Sequence, residues 1–207
     1  MIFDMTRRTS GGGGGGYTAD DWLDQSKPTG AITSDSLISA SADWNYILFK
    51  HTGITSIHLT GATTTPSYFA DHCTSLLTFV SEKAGGTMNG YCLGNCPALT
   101  AIDMGGATMT IGNDAIRASY PTTIILRQTT IPTLNANGFR GSSVVNNSYN
   151  VTFYIPKSLY DHLGDNSSLD YEAASNWSTI AARSNVTFAQ IEGSYYETHW
   201  ADGVAKS

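Results

Sequence analysis

The nine residues from Tyr68 to Leu76 read YFADHCTSL, and the nine from Tyr91 to Leu99 read YCLGNCPAL. Tyr, Cys and Leu return to the same places 23 residues apart. A fixed period of this size is the mark of stacked coils, in which each unit buries its apolar face only against its neighbours. The period extends upstream to Tyr46–Ile54, YILFKHTGI, where His51 stands at the cysteine position. Downstream it weakens into AIRASYPTT from Ala115, which puts Ile116 at the second position and Tyr120 at the cysteine position.

Each unit runs into a short extended segment: ITSIHL at Ile54, LLTFVS at Leu76, LTAIDM at Leu99 and TIILRQ at Thr123. The first fits L-x-x-L-x-L in full, the next two keep its first two anchors, and the fourth keeps only Leu126. Alternate residues of a strand share one face, so Ile57, Phe79, Ile102 and Leu126 are expected to form one buried column. About three coils are needed for a stable stack, and the pattern supplies about four to five. The expected fold is a repeat solenoid, leucine-rich-repeat-like, of short parallel β-strands and irregular coils with helical caps at both ends.

Four regions follow. Residues 1–16 read as an anchor and tether: a small apolar knob (Ile2, Phe3, Met5), the basic pair Arg7 and Arg8, and six glycines, Gly11 to Gly16. A glycine run has maximal backbone freedom and no side chain to pack. It is not a phosphate loop, because no Gly-Lys-Ser/Thr closes it and no strand precedes it. Residues 17–45 read as an N-terminal cap, with Thr18 opening a short helix, Trp22 and Leu23 covering the first coil, and a turn at Lys27–Gly30. Residues 46–156 are the solenoid. Residues 157–207 are a C-terminal cap, with helical segments near Ser158–Leu163, Leu169–Ser175 and Ile180, and a last strand through Val186, Phe188 and Ile191.

The Tyr/Ala-Phe-x-x-x-Cys-x-x-Leu-x-x-Ile unit resembles the BspA-like, or Treponema-type, leucine-rich repeat. The ending resembles it too: Tyr154-Ile155-Pro156, then Tyr171-Glu172-Ala173-Ala174-Ser175-Asn176-Trp177-Ser178. The likeness covers roughly residues 30–192. It implies a leucine-rich-repeat fold and a link to bacterial surface adhesion proteins, which are common in gut bacteria and their phages. The chain departs from surface adhesins in having few repeats, no export signal in MIFDMTRRTS and no cell-wall anchoring motif. Its opening is similar to small phage virion proteins in which a short N-terminal peg docks on the particle.

Other features narrow the function classes. A length of 207 residues suits one domain. The net charge of -6 and the lack of a Lys/Arg cluster argue against nucleic acid. No apolar run approaches the roughly 18 residues of a membrane span. The sequons at Asn146, Asn166, Asn176 and Asn185 read as chance in an Asn/Ser-rich chain. Cys73 and Cys96 occupy one inward position of successive coils, and Cys92 the inward position of Ile47, Phe69 and Ile116. Buried packing is favoured for all three; a disulfide or a metal site stays open. Asp71-His72-Cys73 offers orienter, base and nucleophile types, but adjacent side chains diverge, and triads are built from distant positions. His51, His58, His72, His162 and His199 show no ligand spacing. Nothing asks for a cofactor or a metal, and the chain reads as non-catalytic.

The positions between strand anchors are the candidate binding strip. His58, Val80, Asp103 and Arg127 form one row, and Ser56, Thr78, Ala101 and Ile125 a second, both expected on the outer face of the sheet. An Asp103–Arg127 pair across that face would contribute under about 1 kcal/mol if exposed. The alternative is an ordinary solvated sheet face. The expected role is a structural or adhesive module on a particle, most simply a phage virion appendage. Ile2, Phe3, Met5, Arg7 and Arg8 would meet a virion subunit, and the strip a host surface protein or glycan. The rivals are a bacterial cell-surface adhesin and a carbohydrate-active enzyme on a solenoid. The last requires paired carboxylates, for which Asp103 alone is too little.

Overall fold

A computed structural model describes residues 29–34, 45–61, 64–82, 86–106 and 109–199. The tail residues Ile2, Phe3, Met5, Arg7 and Arg8, the glycine run, and the expected cap residues Thr18, Trp22 and Leu23 lie outside these segments.

The described chain is a parallel β-solenoid of about four turns with few helices. The described residues form ten strands in two parallel sheets: β1 (Gly30–Ser34), β2 (Ile54–Leu59), β3 (Thr78–Ser81), β4 (Thr87–Met88), β5 (Ala101–Met104), β6 (Thr110–Ile111), β7 (Thr123–Leu126), β8 (Thr133–Leu134), β9 (Val151–Ile155) and β10 (Val186–Gln190). Seven form one sheet in the order β1-β2-β3-β5-β7-β9-β10, and β4-β6-β8 form the other. The strands are rich in Thr, Ile, Val and Phe, which suit a pleated, half-buried surface. β1 is a finding: it extends the sheet into the region expected to be a helical cap, and pairs with β2.

Register explains the core. Ile32, Ile57, Phe79, Ile102, Ile124 and Phe153 stand opposite one another in consecutive strands and are buried. Leu59, Ser81, Met104 and Leu126 form a second buried column. Met88, Ile111 and Leu134 close the core from the small sheet. The sequence expectation for Ile57, Phe79 and Ile102 holds. Leu126 is corrected: it belongs to the second column, and Ile124 takes its place in the first.

The cause lies one corner earlier. Cys73 precedes Thr78 by five residues and Cys96 precedes Ala101 by five, but Ser119 precedes its counterpart Thr123 by four. This corner, which contains Pro121, is one residue shorter. Reading the fourth unit from Ala115 therefore misplaces its turn by one residue and its strand by two. A two-residue slip keeps the same strand face inward, so apolar pattern cannot expose the error.

The same shift corrects the cysteine row. Ser119, not Tyr120, is the successor of Cys96. Cys73 Sγ donates to Leu48 O at 3.0 Å, Cys96 Sγ to Ala70 O at 3.2 Å, and Ser119 Oγ to Leu93 O at 2.6 Å. Thiol and hydroxyl perform one task, tying each corner to the coil before it. Tyr120 instead stacks on Tyr149, with ring centroids 5.1 Å apart. Coil-to-coil bonding continues through the turns, as in Leu48 N to Phe69 O, Ala70 N to Cys92 O and Leu93 N to Ala115 O.

Beyond β9 the chain forms α1 (Lys157–Tyr160) and α2 (Trp177–Ala181) before β10. Residues 169–175, expected to be helical, are turns, and Asn176 follows them in the left-handed region at φ 62°. Trp177 is buried among Phe139, Phe153 and Tyr171, and its Nε1 donates to Pro132 O at 2.6 Å. β10 pairs with β9 in register, close to where a last strand is expected. Among the described residues no helix is long and apolar enough to cross a membrane.

Candidate interaction surfaces

The outer face of the seven-stranded sheet carries two rows. Ser56, Thr78, Ala101, Thr123, Thr152 and Thr187 form the first; His58, Val80, Asp103, Ile125, Tyr154 and Ala189 the second. Ser56 and Thr78 stand where the sequence puts them. Ile125 and Arg127 do not: Ile125 belongs with His58, and Arg127 lies two residues further on, for the same reason of corner length.

The second row also differs in exposure. Val80, Asp103 and Ile125 are fully buried, so this is not an open solvated strip. Arg127 reaches diagonally to Asp103, with Nε to Oδ1 and Nη2 to Oδ2 each 2.8 Å. Arg127 Nη2 also donates to His199 O at 2.7 Å. Tyr196, in a single 3-10 turn at Tyr195–Glu197, packs edge-on to Tyr154 at 4.7 Å. The segment ending at His199 thus lies against the face at β7 and β9. Towards β2, His58 Nε2 meets Glu82 Oε1 at 2.8 Å.

The turn edge between the sheets is built differently. Tyr46, Tyr68, Tyr91 and Asp114 occupy one position of four coils, and all have positive φ, between 55° and 64°. Lys50, His72, Asn95 and Ala118 form a second left-handed series. Two such residues per coil turn the chain sharply, and for a bulky side chain the region is strained. The tyrosines recover part of that cost by stacking. Tyr46 and Tyr68 are 4.6 Å apart at 7°, and Tyr68 and Tyr91 are 5.0 Å apart at 5°. Arg117 closes the stack, with Cζ 5.6 Å from the Tyr91 ring centre and Nη1 donating to Tyr91 Oη at 2.6 Å. Partial burial raises the Tyr68 hydroxyl above its ordinary range, and the flanking hydroxyls of Tyr46 and Tyr91 raise it further. The sequence shows the recurring Tyr but not this stack; the signal was its return at spacings of 22 and 23.

The ionisable residues beneath the edge join coil to coil. Asp71, almost fully buried, accepts from Asn95 Nδ2 at 2.8 Å. Gly94 is needed there, because a Cβ would meet Asp71 Oδ1 at 2.8 Å. His72 Nδ1 lies 3.0 Å from Asp71 Oδ2 without hydrogen-bond geometry. Asp114 is held by Arg140 through two contacts of 2.7 and 2.6 Å. That bond raises the Arg140 guanidinium above its ordinary value. Asp71, His72 and Cys73 do not converge: the carboxylate serves Asn95, and the thiol faces Leu48 O.

Cys73, Cys92 and Cys96 are buried and unlinked. Burial pushes all three thiols up, Cys96 to about 12 and the other two further, which keeps them protonated. Among the described residues no group of three or more His, Cys, Asp or Glu side chains is placed to hold a metal ion. No protein-family model, curated protein or solved structure matches the chain.

Proposed function

We propose that the protein is a non-catalytic structural or adhesive module displayed on a particle surface, most simply a phage virion appendage. In this reading Ile2, Phe3, Met5, Arg7 and Arg8 dock on a virion subunit, Gly11–Gly16 separate that peg from the solenoid, and the solenoid meets a host surface protein or glycan. The coils are taken to be of the BspA-like leucine-rich type, with the ends of the stack capped. Support for the repeat type comes from the period of 22 to 23 residues and the L-x-x-L-x-L segments.

One observation carries the functional reading. Four polar side-chain pairs run from one coil to the next: His58 with Glu82, Asp71 with Asn95, Asp103 with Arg127, Asp114 with Arg140. Each spans 24 or 26 residues. They knit a stack and present repeated faces, which suits display better than chemistry at one point.

The test is mass spectrometry of purified particles, with and without deletion of residues 1–10. The deletion should leave the melting temperature unchanged and abolish incorporation. Normal assembly of the truncated chain would sink the docking role. Recovery of the full chain from a bacterial cell envelope and not from particles would favour the cell-surface adhesin.

A further inference from the structure

The turn edge holds an aromatic and basic array that the core does not require. Tyr46, Tyr68 and Tyr91 keep a large side chain at a backbone position where Gly or Asn would be relaxed. Strain retained at the same place in three consecutive coils points to a use for the side chain. Their stacking covers the ring faces, so the edges and the hydroxyls of Tyr46 and Tyr68 remain to meet a partner, while Tyr91 Oη accepts from Arg117 and keeps its own proton to donate. Tyr46 is half exposed.

Two exposed cations flank the stack. Lys50 lies in the first of these coils, 4.9 Å over the Phe49 ring, and Arg117 lies at the Tyr91 end. Among the described residues neither is paired with a carboxylate. Arg140, beyond them, is neutralised by Asp114. In a chain of net charge -6 this edge sets three cations, Lys50, Arg117 and Arg140, against the carboxylates of Asp71 and Asp114, and its tyrosine rings repeat every 4.6 to 5.0 Å.

We propose that this edge binds a carboxylate-bearing polysaccharide laid along the solenoid axis. Lys50 and Arg117 meet its carboxylates, and the hydroxyls of Tyr46, Tyr68 and Tyr91 meet its hydroxyls. The proposal rests on the reading of the solenoid as a display module and names its ligand class. A polysaccharide fits because every unit offers hydroxyls to a line of hydroxyl donors. An acidic peptide would engage the two cations and offer the tyrosines only backbone carbonyl acceptors, without hydroxyls on every unit, and polyglutamate is the comparator that tests it. A nucleic acid needs a longer run of phosphates neutralised than two cations provide.

The experiment titrates the full chain with fluorescent polygalacturonate, reading anisotropy at low and physiological salt. Neutral dextran, polyglutamate and a single-stranded DNA oligonucleotide are the comparators. Polygalacturonate should bind and weaken with salt, and dextran should not bind. The double variant Lys50→Gln/Arg117→Gln should weaken binding by roughly tenfold, the scale of losing charge-assisted contacts. Tyr68→Phe keeps the stack and removes one hydroxyl; it should weaken binding severalfold with an unchanged melting temperature. Absence of polygalacturonate binding, equal binding by the double variant, or polyglutamate or DNA binding as tightly as polygalacturonate would each overturn the proposal. Particle incorporation is measured separately, so failure here leaves the display reading to its own test.

Discussion

Arg127 crosses one coil to fork onto Asp103, and both of its hydrogen bonds to that carboxylate are 2.8 Å long. Asp103 is fully buried and Arg127 nearly so. A charge pair out of water is costly to form and costlier to break, because removing one partner leaves the other unpaired. Arg127→Met should destabilise the protein by about 3–5 kcal/mol. Asp103→Leu combined with Arg127→Met should restore most of that loss. Urea unfolding of the single and double variants measures both. A double variant as weak as the single one would mean that the Arg side chain matters for its contact with His199 O and not for neutralising Asp103.

Phe79 and Thr78 are neighbours on β3 with opposite fates: Phe79 is fully buried in the central column, and Thr78 is half-exposed on the outer face. Phe79→Ala should cost about 3–5 kcal/mol. Thr78→Ala should stay within about 0.5 kcal/mol of the parent, as for most surface changes. Equal losses for the two would contradict the inward and outward assignment.

The corner ladder gives Ser119 two hydrogen bonds: it accepts from Cys96 N at 2.9 Å and donates to Leu93 O at 2.6 Å. Ser119→Ala leaves both partners buried and unsatisfied, at about 1–3 kcal/mol. Ser119→Cys, which copies the other coils, should be milder. Thermal denaturation separates them, and a harmless alanine would remove the ladder from the account.

Burial raises the thiols of Cys73, Cys92 and Cys96 in the folded state. A group whose folded pKa is raised stabilises the fold below its unfolded pKa and loses that contribution as pH climbs towards the folded value. The window opens near the ordinary thiol value of 9.0 and runs to about 12 for Cys96. Stability should therefore fall as pH rises above that ordinary value. At pH 8 iodoacetamide should label none of the three thiols until denaturant unfolds the chain. Prompt labelling of the native protein would show that they are not buried as described.

Much of this was legible because a repeat states its own register. Tyr, Cys and Leu at a spacing of 23 placed Ile57, Phe79, Ile102, Cys73 and Cys96 in the core. The fourth coil is misread because the shorter corner between Ser119 and Thr123 moves the strand by two residues in all, and a two-residue slip leaves the inward face apolar. Burial of Val80 and Ile125 was not legible at all. Among the described residues the contacts that cover this sheet face join Arg127 to His199 O, 72 residues away, and Tyr154 to Tyr196, and no local pattern announces contacts so remote. The tyrosine stack was visible as a recurrence, but its left-handed backbone was not, since Tyr is a poor guide to positive φ.

Coil-over-coil register is the claim on which columns, ladder and stack all depend. In parallel stacking Ala101 stands opposite Thr123, and Ile125 lies one diagonal further along β7. Directly opposed residues on adjacent strands are about 4.8 Å apart, within disulfide reach, and the diagonal at about 8 Å is beyond it. The decisive measurement is oxidative cross-linking of two double variants, read by mass spectrometry of the linked peptides. Ala101→Cys/Thr123→Cys should form its disulfide readily, and Ala101→Cys/Ile125→Cys should not. The reverse result would contradict the register and, with it, the solenoid described here.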